Sequence, residues 1–138
     1  MDFPRILISA LRGGAGKTIV SIGITAAWKE AGKHITPFKK GPDYIDAGWL
    51  QSAARRPCYN LDPYLFPAEA ISGSFRRRSA GADLALVEGN RGLFDGVTAR
   101  GGYSTAELAL QLDLPVLLVV NCTKTTRTVA ALIQGCIG

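Results

Sequence analysis

A glycine-rich turn near the amino terminus, within the stretch PRILISALRGGAGKT over residues 4–18, constrains the fold more than any other part of the sequence. An apolar run precedes the turn, and apolar residues at helical spacing follow it. Gly13, Gly14 and Gly16 leave backbone N–H groups free to face an anion, and the start of the next helix adds the positive end of its dipole. The order strand, glycine loop, helix predicts a phosphate-binding loop.

The loop ends in two side chains that suit a nucleotide site. Lys17 is expected to reach the β- and γ-phosphates of ATP, and the Thr18 hydroxyl to hold Mg²⁺. Arg12 and Ala15 complete the string of residues expected to contact the nucleotide. Leu11 replaces the first glycine of the common pattern Gly-x-x-x-x-Gly-Lys-Ser/Thr. The string therefore resembles the deviant loop of dethiobiotin synthetase and of septum-positioning and chromosome-partitioning ATPases, many of which have a second lysine where this chain has Arg12.

Composition limits the class of protein. The 138 residues, 47% hydrophobic and 20% charged, are expected to form one folded domain over residues 1–138. There is no apolar run of membrane-spanning length, no secretory signal and no metal-like cysteine spacing, so we expect a cytoplasmic protein without a membrane partner. The net charge of +5 is scattered and lacks interleaved aromatic residues, which favours an anionic small molecule over nucleic acid.

Apolar runs and helical spacings alternate along the chain and predict an α/β fold. Four strands are expected at about 6–9, 34–38, 83–88 and 114–120, and helices at about 17–31, 47–54, 67–79, 104–112 and 128–137. The pattern indicates a three-layer P-loop NTPase fold, with a mainly parallel sheet covered by helices on both faces. The proline-containing residues 57–67 are expected to be irregular, and the abrupt end suggests a truncated domain.

Charged and polar residues follow the predicted strands, where open α/β sheets bind their ligands. Lys39 is a candidate for binding a phosphate, and Asp43 and Asp46 are candidates for binding metal or substrate, unless Asp46 only caps the next helix. Glu88 ends the third strand in the manner of the second nucleotide-binding motif, whose acid holds Mg²⁺ directly or through water. Asn121 follows the last strand and could contact the adenine or the substrate, or only form a turn.

A glycine-rich loop follows Glu88. Residues 89–102 contain five glycines and Asp95, a composition that suggests close approach of the backbone to a ligand, a mobile segment, or a plain surface loop. After this loop, Ser104 and Glu107 stand three residues apart and predict a capping box at the start of a helix.

Several strings, in the same order and over nearly the whole chain, resemble the amino-terminal ATPase domain of the cobyrinic acid a,c-diamide synthase family. They are RGGAGKT, PFKKGPDYIDAGWL, NLD at 60–62, VEGNRGLFDG, and STAELA before LPVLLVV. GPDYID and EG-x-x-GLFDG are far more specific than the phosphate loop. Position 121 departs from the family, because many relatives are expected to have an aspartate there.

The resemblance implies an ATP-dependent carbon–nitrogen ligase of cobalamin biosynthesis. In this family ATP activates the a and c side-chain carboxylates of cobyrinic acid as acyl phosphates. Ammonia, released from glutamine by a carboxy-terminal glutaminase domain, then displaces the phosphate. The implied cofactors are ATP and Mg²⁺, and the implied substrate is a tetrapyrrole dicarboxylate. Because the sequence has no glutaminase motif, the resemblance implies a fragment, or a relative that takes ammonia from a partner or from solution.

The resemblance also implies roles for single residues. The expected catalytic residues are Lys17, Lys39, Asp43, Asp46 and Glu88, the metal ligands Thr18, Asp43 and Glu88, and the substrate contacts Tyr44, Asp46, Gly89 and Asp95. Two alternatives stay open: a partitioning or regulatory ATPase, and a ligase similar to dethiobiotin synthetase. Because related ATPases often pair across the nucleotide, Arg12 could reach the phosphate of a neighbouring copy in a homodimer.

Overall fold

Five parallel strands form one sheet in the computed structural model, which describes residues 2–137. The elements are β1 Arg5–Ala10, α1 Lys17–Glu30, β2 Ile35–Lys40, α2 Ile45–Ala54, β3 Tyr59–Leu61, α3 Ala68–Ser79, β4 Leu84–Glu88, α4 Thr105–Gln111, β5 Val116–Val119 and α5 Thr128–Ile137. The strand order is β3-β2-β4-β1-β5. The expected α/β fold with a parallel sheet is confirmed.

Helices cover both faces of the sheet, and each face has its own hydrophobic core, because consecutive side chains of a strand point to opposite faces. On the α1/α2 face the core contains Ile8, Ile35 and Leu86 of the strands and Leu50 of α2. On the α3/α4 face it contains Leu7, Phe38 and Val87 of the strands, Phe75 of α3 and Leu108 of α4. The predicted layers of helix, sheet and helix are therefore present.

The same alternation separates the two lysines that end β2. Ile35 belongs to the core of the α1/α2 face and Phe38 to that of the α3/α4 face. Lys39 lies an even number of residues after Ile35, and Lys40 lies two residues after Phe38, so the two lysines follow opposite faces. In the parallel register Lys39 is aligned with Glu88 of the neighbouring strand β4. The fold thus brings these two charged side chains together on the α1/α2 face.

A short strand lies in the stretch that the sequence predicts to be irregular. Residues 59–61 form β3 and pair with residues 38–40 at the edge of the sheet. Three residues are too few for strand periodicity to be visible in a sequence. In β3, the Asn60 Nδ2 donates to the carbonyls of Gly41 at 2.8 Å and Asp43 at 3.0 Å. Asn60 thereby holds the loop that follows β2.

The predicted capping box begins α4. The Ser104 hydroxyl accepts from the Glu107 N–H at 3.2 Å, and the Glu107 carboxylate accepts from the Ser104 N–H at 2.6 Å. The hydrogen bond from the Ser104 backbone is the main cause that lowers the pKa of Glu107. Both residues therefore have the structural role that their spacing predicts.

The last strand is less covered than its apolar sequence predicts. Val116 of β5 is 40% exposed, and none of the described residues of α5 is buried. β5 lies at the edge of the sheet and has only β1 as a neighbour, so its apolar side chains lack the cover that a central strand receives. No helix between residues 2 and 137 is long and apolar enough to cross a lipid bilayer.

Glycines of the loop after β4 approach other protein segments closely. A Cβ on Gly92 would lie 2.5 Å from the carbonyl oxygen of Leu11, in the phosphate-binding loop. A Cβ on Gly89 would lie 2.6 Å from Cγ2 of Thr105. The N–H of Leu93 also donates to the carbonyl of Ala10 at 2.8 Å. These close approaches are made to the protein itself, and they join the loop to the end of β1.

Substituting Gly92 with alanine is expected to lower the free energy of unfolding by about 1–3 kcal/mol, because the new methyl group forces this loop away from Leu11. Urea denaturation would measure the change. Gly23→Ala is the matched control, since a Cβ at Gly23 in α1 would meet no described atom within 4 Å outside the helix's own backbone and the adjoining residues. Alanine there is expected to stabilise the helix slightly. Equal stability of Gly92→Ala and the unmodified chain would contradict the assigned packing.

Candidate active site

The glycine loop borders a cavity of about 530 Å³ at the carboxyl edge of the sheet, which we call the phosphate cavity. The residues expected from the sequence that line it are Gly13, Gly14, Gly16, Lys17, Thr18, Lys39, Asp43, Asp46 and Glu88. Gly14 and Gly16 have positive φ values of 70° and 95°. Apart from the adjoining residues of the loop, no atom of residues 2–137 lies within 4 Å of the place where a Cβ of Gly13, Gly14 or Gly16 would be, so the loop is open to a ligand on that side. These features fit a polyphosphate.

Lys17 is one of the buried lysines that line the phosphate cavity. It begins α1, and the residues one and two turns later on the same side, Ser21 and Thr25, are also buried. The Lys17 Nζ donates to the carbonyl oxygen of Arg91 at 3.0 Å. Burial lowers the pKa of Lys17, the positive charge of Lys39 lowers it further, and nearby carboxylates oppose both effects. An anion at Lys17 would favour its charged form.

Glu88 is fully buried at the end of β4, and its side chain connects α1 to β2 through hydrogen bonds to both elements. Its Oε1 accepts from the Thr18 hydroxyl at 2.8 Å and from the Lys39 Nζ at 3.2 Å. The Lys39 Nζ also donates to the carbonyl of Gly89 at 2.8 Å and lies 3.5 Å from Oδ2 of Asp46. Buried charges are tolerated when they are paired in this way, and the network holds both groups in fixed positions.

One oxygen of this network has no protein partner. Oε2 of Glu88 is buried and accepts no hydrogen bond from the described residues. A buried carboxylate oxygen next to a threonine hydroxyl fits Mg²⁺, which prefers oxygen ligands. Within residues 2–137 no group of three or more His, Cys, Asp or Glu side chains could hold a metal ion. A magnesium ion at Glu88 and Thr18 would therefore complete its coordination with water and phosphate oxygens, as Mg²⁺ commonly does.

The two aspartates after β2 have different surroundings. Oδ1 of Asp43, which precedes the N-cap residue Tyr44, accepts from the N–H groups of Ile45 at 2.9 Å and Asp46 at 3.0 Å and so satisfies two N–H groups in the first turn of α2. The capping role that the sequence allows for Asp46 is therefore wrong, because α2 begins at Ile45 and the cap precedes that residue. The Asp46 carboxylate instead faces Lys39 at 3.5 Å.

Some expected site residues lie outside the phosphate cavity: Arg12, Ala15, Tyr44, Gly89, Asp95 and Asn121. Tyr44 is 79% exposed, and Gly89 is buried against Thr105. The Asn121 Oδ1 accepts from the Thr123 N–H at 2.9 Å, which is the turn role that the sequence left open. Contacts of these residues with ligands stay predictions.

Three polar or charged residues that the sequence did not single out also line the phosphate cavity. They are Lys40, Asn90 and Arg91. Lys40 is buried, and its Nζ donates to Oδ1 of Asn90 at 2.9 Å. Burial lowers the pKa of Lys40, and the charge of Asp62 partly offsets this effect. Their positions in the sequence could have indicated them, because Lys40 follows Lys39 directly and the other two residues follow Glu88 within the string VEGNRG.

Comparison with curated proteins gives close similarities over nearly the whole chain, although no protein-family model matches it. The chain is 48% identical over 132 residues to a cobyrinate a,c-diamide synthase from Magnetococcus marinus, which is 96% of this chain and 28% of that protein. It is 46% identical over 136 residues to the synthase of the same name from Syntrophotalea carbinolica, covering 98% of this chain and 30% of that protein. A hydrogenobyrinate a,c-diamide synthase from Brucella anthropi is 45% identical over 130 residues, covering 94% of this chain and 30% of that protein. The chain thus spans roughly a third of the length of the curated relatives it matches.

Proposed function

Because this chain is homologous to the amino-terminal part of the cobyrinate a,c-diamide synthases, we propose that it is the ATP-binding part of an amide ligase. The proposed substrate is cobyrinic acid or a related tetrapyrrole, amidated at its a and c side-chain carboxylates. The observation that carries the proposal is the phosphate cavity, in which a glycine loop, buried lysines and three carboxylates surround one space. The names of the relatives favour this function over that of a partitioning ATPase.

The residue set of the phosphate cavity suits the joining of two anions. A carboxylate and a polyphosphate repel each other, so a site that brings them together needs positive charge between them. Lys17 and Lys39 supply such charge from fixed, buried positions. The glycine loop and Lys17 would hold the phosphates of ATP, and Thr18 and Glu88 would hold Mg²⁺. The bound Mg²⁺ would supply further neutralisation of the phosphate charge.

The proposed reaction has two steps. First, a carboxylate oxygen of the substrate attacks the γ-phosphorus of ATP, the bond from that phosphorus to the bridging oxygen breaks, and ADP leaves. Second, ammonia attacks the activated acyl carbon, the carbon–oxygen bond to phosphate breaks, and the new amide loses a proton. Glu88 and Asp46 hold the Lys39 ammonium in place, where it would face the transferred phosphoryl group. The ammonia would come from a glutaminase domain or from another source.

The proposal is tested with ATP, Mg²⁺, cobyrinic acid and ammonium as the nitrogen donor. We expect cobyrinic acid to stimulate ADP release, and mass spectrometry to detect the monoamide and the diamide. Cobyrinic acid a,c-diamide is the matched control compound, because its reacting carboxylates are already amides, and it should not stimulate ADP release. ATP binding without any response to cobyrinic acid would contradict the proposed substrate.

Asp46→Asn is expected to leave ATP affinity within about twofold and to slow product formation about 10- to 100-fold. The reason is that Asp46 contacts Lys39, which would face the transferred phosphoryl group, and does not contact the glycine loop. Its loss would therefore misplace Lys39 and leave the contacts between the glycine loop and ATP unchanged. Equilibrium binding of ATP and the product assay measure the two effects separately. Glu69→Gln, on the exposed first turn of α3, is the control. A large loss of ATP affinity in Asp46→Asn would instead assign Asp46 to the nucleotide.

A further inference from the structure

A second cavity adjoins the phosphate cavity at the carboxyl edge of the sheet. It has a volume of about 420 Å³, and we call it the tyrosine cavity. Lys40, Asn90 and Arg91 line both cavities and so form their common border. The far wall contains Tyr64 and Tyr103, whose rings form an edge-to-face pair with centroids 5.7 Å apart. Lys40 and Arg91 are cationic and Asn90 carries an amide, so this border suits an anionic group, while the aromatic wall suits an apolar one. Pro42 also lines both cavities, and Asp62 and Asp95 line the tyrosine cavity away from this border.

Resting on the proposed function, we propose that the tyrosine cavity receives the acid substrate, and that Lys40 and Asn90 bind its reacting carboxylate at the border with the phosphate cavity. The ligand class is an extended apolar ring compound with carboxylate side chains. Lys40 would be a substrate-positioning residue of the reaction, separate from the lysines that face the phosphates.

Lys40 has the properties that a carboxylate-binding lysine needs. It is only 5% exposed, so its charge is little screened by water. Among residues 2–137 no carboxylate oxygen lies within 4 Å of its Nζ, and its hydrogen bond goes to the Asn90 amide oxygen. A lysine ammonium has three donors, so Lys40 has donors left for a ligand. Lys39, in contrast, is already paired with Glu88 and Asp46.

Asn90 orients the border. Its Oδ1 accepts from Lys40, which turns its Nδ2 away from that lysine and towards Gly41, where a Cβ would lie 3.1 Å from Nδ2. Gly41 has a φ of 83°, so a side chain there is disfavoured by conformation as well as by space. A carboxylate at the border could accept from both the Lys40 Nζ and the Asn90 Nδ2. Two donors from fixed side chains define one position for the reacting oxygen.

The opposite wall suits an apolar body larger than the cavity. Tyr64 is 63% exposed and Tyr103 is 48% exposed, so both side chains lie at the solvent-exposed rim of the cavity. Leu65 and Val97 add apolar surface between the rim and the border. A tetrapyrrole could therefore pack one edge against this wall, direct a carboxylate to Lys40, and extend outward. Exposed aromatic residues at a cavity rim are common in ligand sites.

The first test compares Lys40→Met with the unmodified chain. Methionine keeps an apolar stem of similar length but removes the charge. We expect binding of cobyrinic acid, measured by equilibrium dialysis, to weaken about 10- to 100-fold, and the ATP dissociation constant to stay within about twofold. In the amidation assay the KM for cobyrinic acid should rise more than kcat falls, and Lys40→Arg should recover part of the affinity. Lys33→Met, on the exposed turn after α1, is the control.

A second variant keeps the inference testable if Lys40→Met does not fold. Asn90→Asp has the same shape and places a carboxylate 2.9 Å from the Lys40 Nζ, where it pairs with that lysine and repels the substrate carboxylate. We expect the same loss of cobyrinic acid binding and a smaller loss of ATP binding, because Asn90 also borders the phosphate cavity. Unchanged cobyrinic acid binding in a folded variant of either kind would overturn the inference. An equal loss of ATP affinity would also overturn it, because Lys40 would then belong to the nucleotide.

The outcome for the unmodified chain separates this inference from the proposed function. If the unmodified chain binds ATP but not cobyrinic acid, the proposed substrate fails, and the inference fails with it. If the unmodified chain binds cobyrinic acid and both variants bind it equally well, the proposed function stands and only the assignment of Lys40 and Asn90 is wrong.

Discussion

Lys17→Ala is expected to abolish ATP turnover and to weaken ATP binding by at least about 100-fold. The Lys17 ammonium is the buried cation that starts α1 at the end of the glycine loop. The neighbouring Lys39 cannot replace it, because Lys39 is bound to Glu88 and to the Gly89 carbonyl. Equilibrium binding of a fluorescent ATP analogue and release of ADP measure the two losses.

A matched control and a fold check complete this experiment. Lys33→Ala removes a lysine from the exposed turn between α1 and β2, at the opposite edge of the sheet, and should leave both quantities unchanged. Circular dichroism should show the same helix content in Lys17→Ala as in the unmodified chain. ATP hydrolysis at the original rate in folded Lys17→Ala would rule out a phosphate-binding role for the glycine loop.

Glu88→Gln is expected to lower Mg²⁺-dependent ATP turnover about 100- to 1,000-fold and to destabilise the fold by about 3–5 kcal/mol. Glutamine keeps the shape of the side chain and can still accept from Thr18. It removes the negative charge from the oxygen that has no protein partner, and it leaves the buried Lys39 without its main counter-ion. Magnesium titration of ADP release measures the first effect, and urea denaturation measures the second.

A double variant separates the two roles of Glu88. Adding Lys39→Met to Glu88→Gln removes both charges of the buried pair, so stability should largely return, because no unpaired charge then stays buried at these two positions. Magnesium-dependent turnover should stay low, since both the proposed metal ligand and the Lys39 ammonium are then absent. Glu88→Gln with full magnesium-dependent turnover would contradict the assignment of Glu88 to the metal.

Much of the candidate site could be predicted because its residues occupy positions with a local signature. Lys17 and Thr18 end a glycine loop between a strand and a helix, and that order depends only on neighbouring residues. Glu88 ends a strand, and the carboxyl ends of parallel strands meet at one edge of the sheet. Lys39 could be placed at the same edge by the same argument, before any distance was known.

Strand order explains what could not be predicted. Asn121 follows β5, and in the order β3-β2-β4-β1-β5 that strand is separated from β4 by β1. Crossovers of equal length can place a strand on either side of its neighbours, so sequence spacing does not determine which strand ends adjoin. The same limit applies to β3, because a three-residue strand depends on pairing with β2 and has no detectable pattern of its own.

The opposite directions of Lys39 and Lys40 have a consequence for how such a protein can diverge. In the proposed reaction the two neighbouring lysines divide the work, one facing the phosphates and the other the acid. Mutations on the α3/α4 side could then adapt the enzyme to a different acid while the ATP-binding residues stay unchanged. Proteins similar to this chain are named for two different acids, cobyrinate and hydrogenobyrinate. The peptide bond between Lys39 and Lys40 would then separate the acid-binding side, which could change, from the nucleotide-binding side, which could not.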